Sequence, residues 1–198
     1  MPACLSLTKT HTCDSVKKSF GIRKRRGQVW KMIYIATLMS LFVADSIIKY
    51  GIEKHLRPEE TRQLLHGRVV IRKYHNTGAM LDIAAARQSA VALVSLVFSA
   101  FMTGIFVATL GTKGKRTLKL GLALLLGGAY SNTYDRLRRR YVVDYLSFRF
   151  RDSASLRNKD EKKPVIRFQR RLERIVFNIS DFGIIIGSLL ITAGGLIQ

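Results

Sequence analysis

The sequence predicts an all-α membrane protein with four transmembrane helices. Three observations carry that fold class. Residues 88–112 run without a charge between Arg87 and Lys113, more than the roughly 20 apolar residues that cross a hydrocarbon core of about 30 Å. Three other apolar segments are each interrupted by one aspartate: the run from Met32 by Asp45, the run from Leu120 by Asp135, and the stretch from Ile175 to Gln198 by Asp181. Four such segments in 198 residues exceed what one small soluble core needs.

The helices are expected near 30–50, 88–111, 116–138 and 175–197. An even number puts both termini on one side and the two long loops, 51–87 and 139–174, on the other. The N-terminal arm (1–29) carries Lys17, Lys18 and the cluster Arg23-Lys24-Arg25-Arg26, and the short loop adds Lys113, Lys115, Arg116 and Lys119. Basic clusters beside helix ends stay in the cytoplasm, so the termini are placed inside. The second long loop complicates the count, since residues 149–174 hold ten Lys and Arg. Lys and Arg total 34 against 13 Asp and Glu, a formal net charge of +21. That excess flanks membrane helices and carries no nucleic-acid-binding motif, so no nucleic-acid partner is expected.

The arm is rich in Ser, Thr and Lys with little periodicity and reads as a flexible segment without a fixed fold. Met32 is a candidate start, to be checked by N-terminal sequencing of the native protein. The apolar run after it lacks a small-residue cleavage pattern and reads as a retained helix. Cys4 and Cys13 follow no hydrophobic stretch and read as free thiols. Beyond Pro164, apolar Val165, Phe168, Leu172 and Ile175 alternate with Arg167, Arg170, Arg171 and Arg174. That spacing predicts a basic amphipathic helix on the membrane surface, leading into the fourth helix.

A charged residue inside a membrane helix is costly, so the aspartates mark either a functional site or an interhelical hydrogen-bond network. Alternating helix directions bring Asp45, Asp135, Asp144 and Asp181 to the side of the long loops. Asn76, Asn132, Arg136 and Asn178 fall there too. Asn132 and Asp135 are three apart, as are Asn178 and Asp181, so each pair shares a helix face. Two neighbouring, partly desolvated carboxylates share one proton. One member can then activate water while the other protonates a carbonyl or leaving nitrogen. His11, His55, His66 and His75 have no metal-ligand spacing, so neither metal nor cofactor is expected.

Here the motifs resemble those of lipoprotein signal peptidase (signal peptidase II). Gly127-Gly-Ala-Tyr-Ser-Asn-Thr-Tyr-Asp-Arg136 with Tyr141-Val-Val-Asp-Tyr145 resembles the signature G-G-A-x-G-N-x-x-D-R … V-V-D-F. Phe177-Asn-Ile-Ser-Asp181 resembles F-N-x-A-D, Asn76-Thr-Gly-Ala79 resembles N-T-G-A-A-F, and Asp45-Ser-Ile-Ile-Lys49 resembles D-Q-x-S/T-K. The resemblance covers about 30–198. It implies an intramembrane aspartyl endopeptidase of the bacterial cytoplasmic membrane that cuts prolipoproteins before a diacylglyceryl-modified cysteine. It implies Asp144 and Asp181 as the catalytic pair and Asn76, Asn132, Arg136, Asn178 and Gly78 as site-lining residues, with Asp45, Lys49 and Asp135 in support. Cytoplasmic termini, an active site near the outer face, membrane-lipid contacts and a monomer follow from it. So does a small extracytoplasmic β-like element, for which Arg68–Tyr74 offers a strand.

Several positions depart from the signature. Ser131 stands for Gly, Ser180 for Ala and Arg140 for Gly, and Met80-Leu81 stand where Ala-Phe is usual. Asp144 and Asp181 are also further apart than the family's usual interval. Small polar changes beside a catalytic pair either tune its hydrogen bonding or mark a second reading, a non-catalytic paralogue that binds lipidated peptides or regulates their processing. A proton-coupled transporter is disfavoured, since there is no evident repeat.

Overall fold

The computed structural model describes residues 7–77, 88–149 and 175–196. Along them run α1 (Leu7–His55), β1 (Thr61–Leu64), β2 (Val69–Asn76), α2 (Gln88–Gly111), α3 (Arg116–Arg139), β3 (Val142–Phe148), β4 (Val176–Phe177) and α4 (Ile179–Leu196). The chain divides into two units, residues 1–36 and 37–198. In the first, the Trp30 and Tyr34 rings, one helical turn apart, stack with centroids 6.3 Å apart. The second holds the sheet, the remaining helices and every site residue discussed below.

The first helix, expected near 30–50, is assigned from Leu7, so residues 7–29 are helical where a flexible arm was expected. The three prolines stand at 2, 58 and 164, so no ring removes an amide donor between Leu7 and His55. The helix stops ahead of Pro58, where the residue before a proline is pushed out of helical conformation. The stretches Gln28–His55 and Gln88–Gly111 are long and apolar enough to cross a membrane, and Ile179–Gly195 is apolar but shorter. At 24 residues, α3 is about 36 Å long, with its charges gathered near its two ends.

The fourth helix begins at Ile179 rather than 175. Val176 and Phe177 instead pair with Ser147 and Leu146, so this stretch is strand. Residues 165–174 of the expected amphipathic helix lie outside the described residues, as do most of the basic loop, Met80-Leu81 and Gly78. The β element is larger than expected: an antiparallel sheet of order β1-β2-β3-β4. β3 escapes the two-residue pattern of a half-buried strand because Val142, Val143, Asp144, Tyr145 and Ser147 are all buried. A strand covered on both faces shows no polar alternation.

Glycines let α3 approach its neighbours. A Cβ on Gly128 would lie 2.3 Å from the Ser180 carbonyl oxygen, and one on Gly127 would lie 2.8 Å from that of Leu38. Small residues at such crossings allow backbones to meet closely. Here they seat α3 against α4 and the Leu38–Leu41 turn of α1.

Arg140 closes α3 in the left-handed region, at φ 70°. That conformation costs a residue with a Cβ about 1–2 kcal/mol, which explains why glycine suits the position. Arg140→Gly is expected to raise the unfolding free energy by about 1 kcal/mol, read as a higher melting temperature in detergent. The exposed bond from Arg140 Nη1 to Ser89 Oγ, 2.9 Å, is lost in the exchange. An unchanged or lower melting temperature would show that this bond outweighs the relief.

Candidate active site

Asn178 and Asp181 occupy the cap and third position of α4, and their spacing is that of a capping box. Asn178 Oδ1 accepts from the Asp181 amide at 2.9 Å, while Asp181 Oδ2 accepts from the Asn178 amide at 3.0 Å. Each side chain satisfies an amide that the first helical turn would leave unpaired. The cap also fixes the Asn178 side chain, whose Nδ2 donates to Asp144 Oδ1 at 2.7 Å and to Asn132 Oδ1 at 3.2 Å. Asn178 therefore touches both carboxylates, Asp181 through its backbone amide and Asp144 through its side chain.

Asp144 lies in the middle of β3. Its other oxygen accepts from Asn76 Nδ2 at 3.0 Å. Asn76 reaches it because β2 carries a bulge: Ile71 pairs with Leu146 and Tyr74 with Asp144, so two β2 residues, Arg72 and Lys73, oppose the single Tyr145. A one-residue insertion exchanges the two faces of a strand. Without it His75 would share the face of Asp144, and with it Asn76 does. His75 turns instead to the opposite face, where its ring stacks on Tyr141 at 4.1 Å and its Nε2 meets Glu53 Oε2 at 3.1 Å.

From α3, Asn132 donates to Asp181 Oδ1 at 3.0 Å. The same residue accepts at Oδ1 from Lys49 Nζ, 2.8 Å away. Lys49 also meets Asp45 at 2.7 Å and Asp135 at 3.1 Å. Asp135 in turn accepts from the Val143 amide at 3.4 Å and faces Arg139 at 3.6 Å, tying the end of α3 to the start of β3. Arg136 lies within electrostatic reach of Asp144, Asp181 and Asp135, and its Nη1 contacts Ser95 Oγ of α2 at 3.4 Å.

Burial, and next the neighbouring Asp181 carboxylate, pushes Asp144 up to about 7, against the bonds from Asn76 and Asn178 that favour its charged form. Burial and the Asp45 carboxylate raise the Tyr145 phenol above its ordinary value, so it remains a donor at neutral pH. Chemically, this is a buried carboxyl, Asp144, within electrostatic reach of a half-buried one, Asp181. Among the described residues no group of three or more His, Cys, Asp and Glu is placed to hold a metal ion.

Eight of the ten residues expected at the site are thus joined by hydrogen bonds and ion pairs, namely Asp144, Asp181, Asn76, Asn132, Asn178, Asp45, Lys49 and Asp135, while Arg136 lies within electrostatic reach of them and bonds Ser95. Gly78 lies outside the described residues. Three further participants join these residues: Tyr145, to which the sequence assigned no place, and Ser131 and Ser180, small polar departures expected either to tune hydrogen bonding beside the pair or to mark a divergent paralogue. Tyr145 OH donates to Asp45 Oδ1 at 2.9 Å and accepts from the Ile179 amide at 3.1 Å. Ser131 and Ser180 both donate to Asp45 Oδ2 at 2.6 Å. The available signal was their adjacency in sequence to site residues.

The chain is similar to known proteins in sequence and in fold. Residues 37–197 match the sequence model of the family described as Signal peptidase (SPase) II. The chain is similar to the lipoprotein signal peptidase of Trichormus variabilis, 34% identical over 119 residues, covering 60% of this chain and 73% of the relative. It is also similar to that of Halothermothrix orenii, 27% identical over 160 residues, covering 81% and 92%. A solved bacterial membrane enzyme, determined by the in meso method at 1.9 Å, superposes with a TM-score of 0.62 over 83% of this chain and 92% of the other at 19% identity.

Proposed function

The chain belongs to the signal peptidase II family, and from that membership we propose that it removes signal peptides from diacylglyceryl-modified prolipoproteins as an aspartyl endopeptidase, cutting before the lipid-modified cysteine. The observation that carries the aspartyl reading is the bridge made by Asn178, one residue bonded to both Asp144 and Asp181.

The charges around the pair support a single shared proton. Asp45, Asp135, Asp144 and Asp181 face Lys49, Arg136 and Arg139, so one proton on the carboxylates brings the cluster to balance. Burial pushes Asp144 up to about 7, and as the more buried of the two it is assigned the proton, with Asp181 the base. Asp181 takes a proton from water as the water oxygen bonds to the scissile carbonyl carbon, and Asp144 gives its proton to the carbonyl oxygen. The tetrahedral intermediate then collapses, with Asp181 returning a proton to the leaving nitrogen and Asp144 regaining its own. Asn76, Asn132, Asn178 and Arg136 hold the carboxylates and the substrate backbone. No cofactor takes part.

The same reading places four helices across the bacterial cytoplasmic membrane with cytoplasmic termini. The site then sits near the outer face, where the C-terminal ends of α1 and α3 meet the N-terminus of α4, at a depth that leaves the substrate's acyl chains in the bilayer. The departures Ser131 and Ser180 bond Asp45 and neither member of the pair, which supports the catalytic reading over a non-catalytic paralogue.

The test is a processing assay with purified chain, a lipidated prolipoprotein and detergent or bilayer. Release of the signal peptide is expected, with kcat/KM falling as pH rises through about 7, where Asp144 loses the proton it donates. Asn76→Ala removes a bond that favours the charged form of Asp144, so the falling limb should move to higher pH. Binding of the substrate without release, or a limb that Asn76→Ala leaves in place, would count against this mechanism.

A further inference from the structure

We propose that Ser131, Tyr145 and Ser180 form a hydroxyl clamp on Asp45, acting as positioning residues that set the geometry of the catalytic pair without touching substrate. The inference rests on the aspartyl reading above and assigns a task to positions that reading leaves idle. Asp45 is fully buried and receives four donors. Its Oδ2 takes Lys49 at 2.7 Å and Ser131 and Ser180 at 2.6 Å each, and its Oδ1 takes Tyr145 at 2.9 Å. A carboxylate offers about four acceptor directions, and four donors meet this one, three at Oδ2 and one at Oδ1.

The placement of the three hydroxyls points to positioning rather than glue alone. Each belongs to the immediate sequence neighbour of a residue at the pair. Ser131 precedes Asn132, which donates to Asp181. Tyr145 follows Asp144, and Ser180 precedes Asp181. The clamp therefore gathers α3, β3 and α4 onto one carboxylate of α1, one residue away from each group that must be aligned. Tyr145 adds a second tie by accepting the Ile179 amide at the first turn of α4. At the same three places the signature quoted above carries Gly, Phe and Ala, none of which has a hydroxyl. The three replacements converge on one acceptor and read as one coupled change.

A reacting geometry displaced by about 1 Å can lose on the order of 100-fold in rate, so a loosened clamp should act on kcat. The experiment measures kcat, KM and melting temperature for wild type, Ser131→Ala, Ser180→Ala, the double variant and Tyr145→Phe, with Asp144→Asn as the inactive control. Each single change is expected to lower kcat about tenfold with KM within about twofold. Because both serines serve one oxygen, the double variant should lose less than the product of the two singles. Tyr145→Phe keeps the shape of the ring and serves if a serine variant folds poorly. Unchanged kcat with only a lower melting temperature would reduce the clamp to a structural contact. A raised KM at constant kcat would make these residues substrate contacts; either result overturns the proposal. A wild-type chain that releases no signal peptide sinks the reading beneath it, whereas an active wild type with equally active variants sinks the clamp alone.

Discussion

Asp144→Asn and Asp181→Asn should each abolish signal-peptide release, by about 10³-fold or more, while leaving a folded protein. Asparagine keeps the size of the carboxyl group but can neither accept the proton of water nor hand one to a carbonyl. At 181 the new amide oxygen can still accept from the Asn178 amide, as Asp181 Oδ2 does now, so the α4 cap survives. At 144 the two present donors, Asn76 and Asn178, cannot both be satisfied by one amide oxygen. Asn178 has no freedom to turn, because its Oδ1 already caps the Asp181 amide. The new oxygen must therefore face Asn178, and Asn76 flips to accept from the new NH₂ group. Asp144→Asn should retain a wild-type melting temperature and Asp181→Asn a somewhat lower one, because Asn132, held at Oδ1 by Lys49 and Asn178, cannot flip to accept from the new NH₂ group; both should bind uncleaved prolipoprotein. Cleavage persisting in either one would refute the assignment of that residue.

Lys49→Met should be the most destabilising substitution in the site. Lys49 is 1% exposed and is the cation shared by Asp45 and Asp135. Breaking a buried ion pair by removing one partner costs about 3–5 kcal/mol, because the remaining charge is left uncompensated. Asp135 keeps Arg139 at 3.6 Å, so most of the cost falls on Asp45. The measurement is a thermal melt in detergent with limited proteolysis, and a large fall in melting temperature is expected. Adding Asp45→Asn to Lys49→Met should recover part of the loss, since the orphaned charge goes with it. Lys49→Arg should not rescue, because a planar guanidinium does not fit a cavity built around a compact ammonium. A melt within a degree or two of wild type for Lys49→Met would show that the hydroxyls alone hold Asp45.

Much of this was legible from the chain. The segments around Asp45, Gln88, Asp135 and Asp181 announce helices because apolar length is a local property. Asn132 with Asp135, and Asn178 with Asp181, announce shared faces because three residues nearly close a helical turn. The second pair turned out to be a helix cap, a tighter relation than a shared face and one that fixes the same spacing. The strands were harder. β3 is buried on both sides and β4 is two residues long, so neither displays a period. β4 exists only because β3 offers it an edge, which is why the start of α4 was misplaced by four residues.

The sequence by itself determined which residues are present to do chemistry and where apolar length places the helices, because both are written in composition and local spacing. Only the tertiary structure decided how those residues meet. The bulge at Arg72 and Lys73 is set by pairing with a strand some 70 positions away, and it alone delivers Asn76 rather than His75 to Asp144. The convergence of Ser131, Tyr145 and Ser180 on Asp45 spans separations of 86, 100 and 135 residues. No local periodicity encodes contacts of that range, since they arise when close-packed glycines bring separate elements within hydrogen-bond distance and burial obliges every polar group to find a partner.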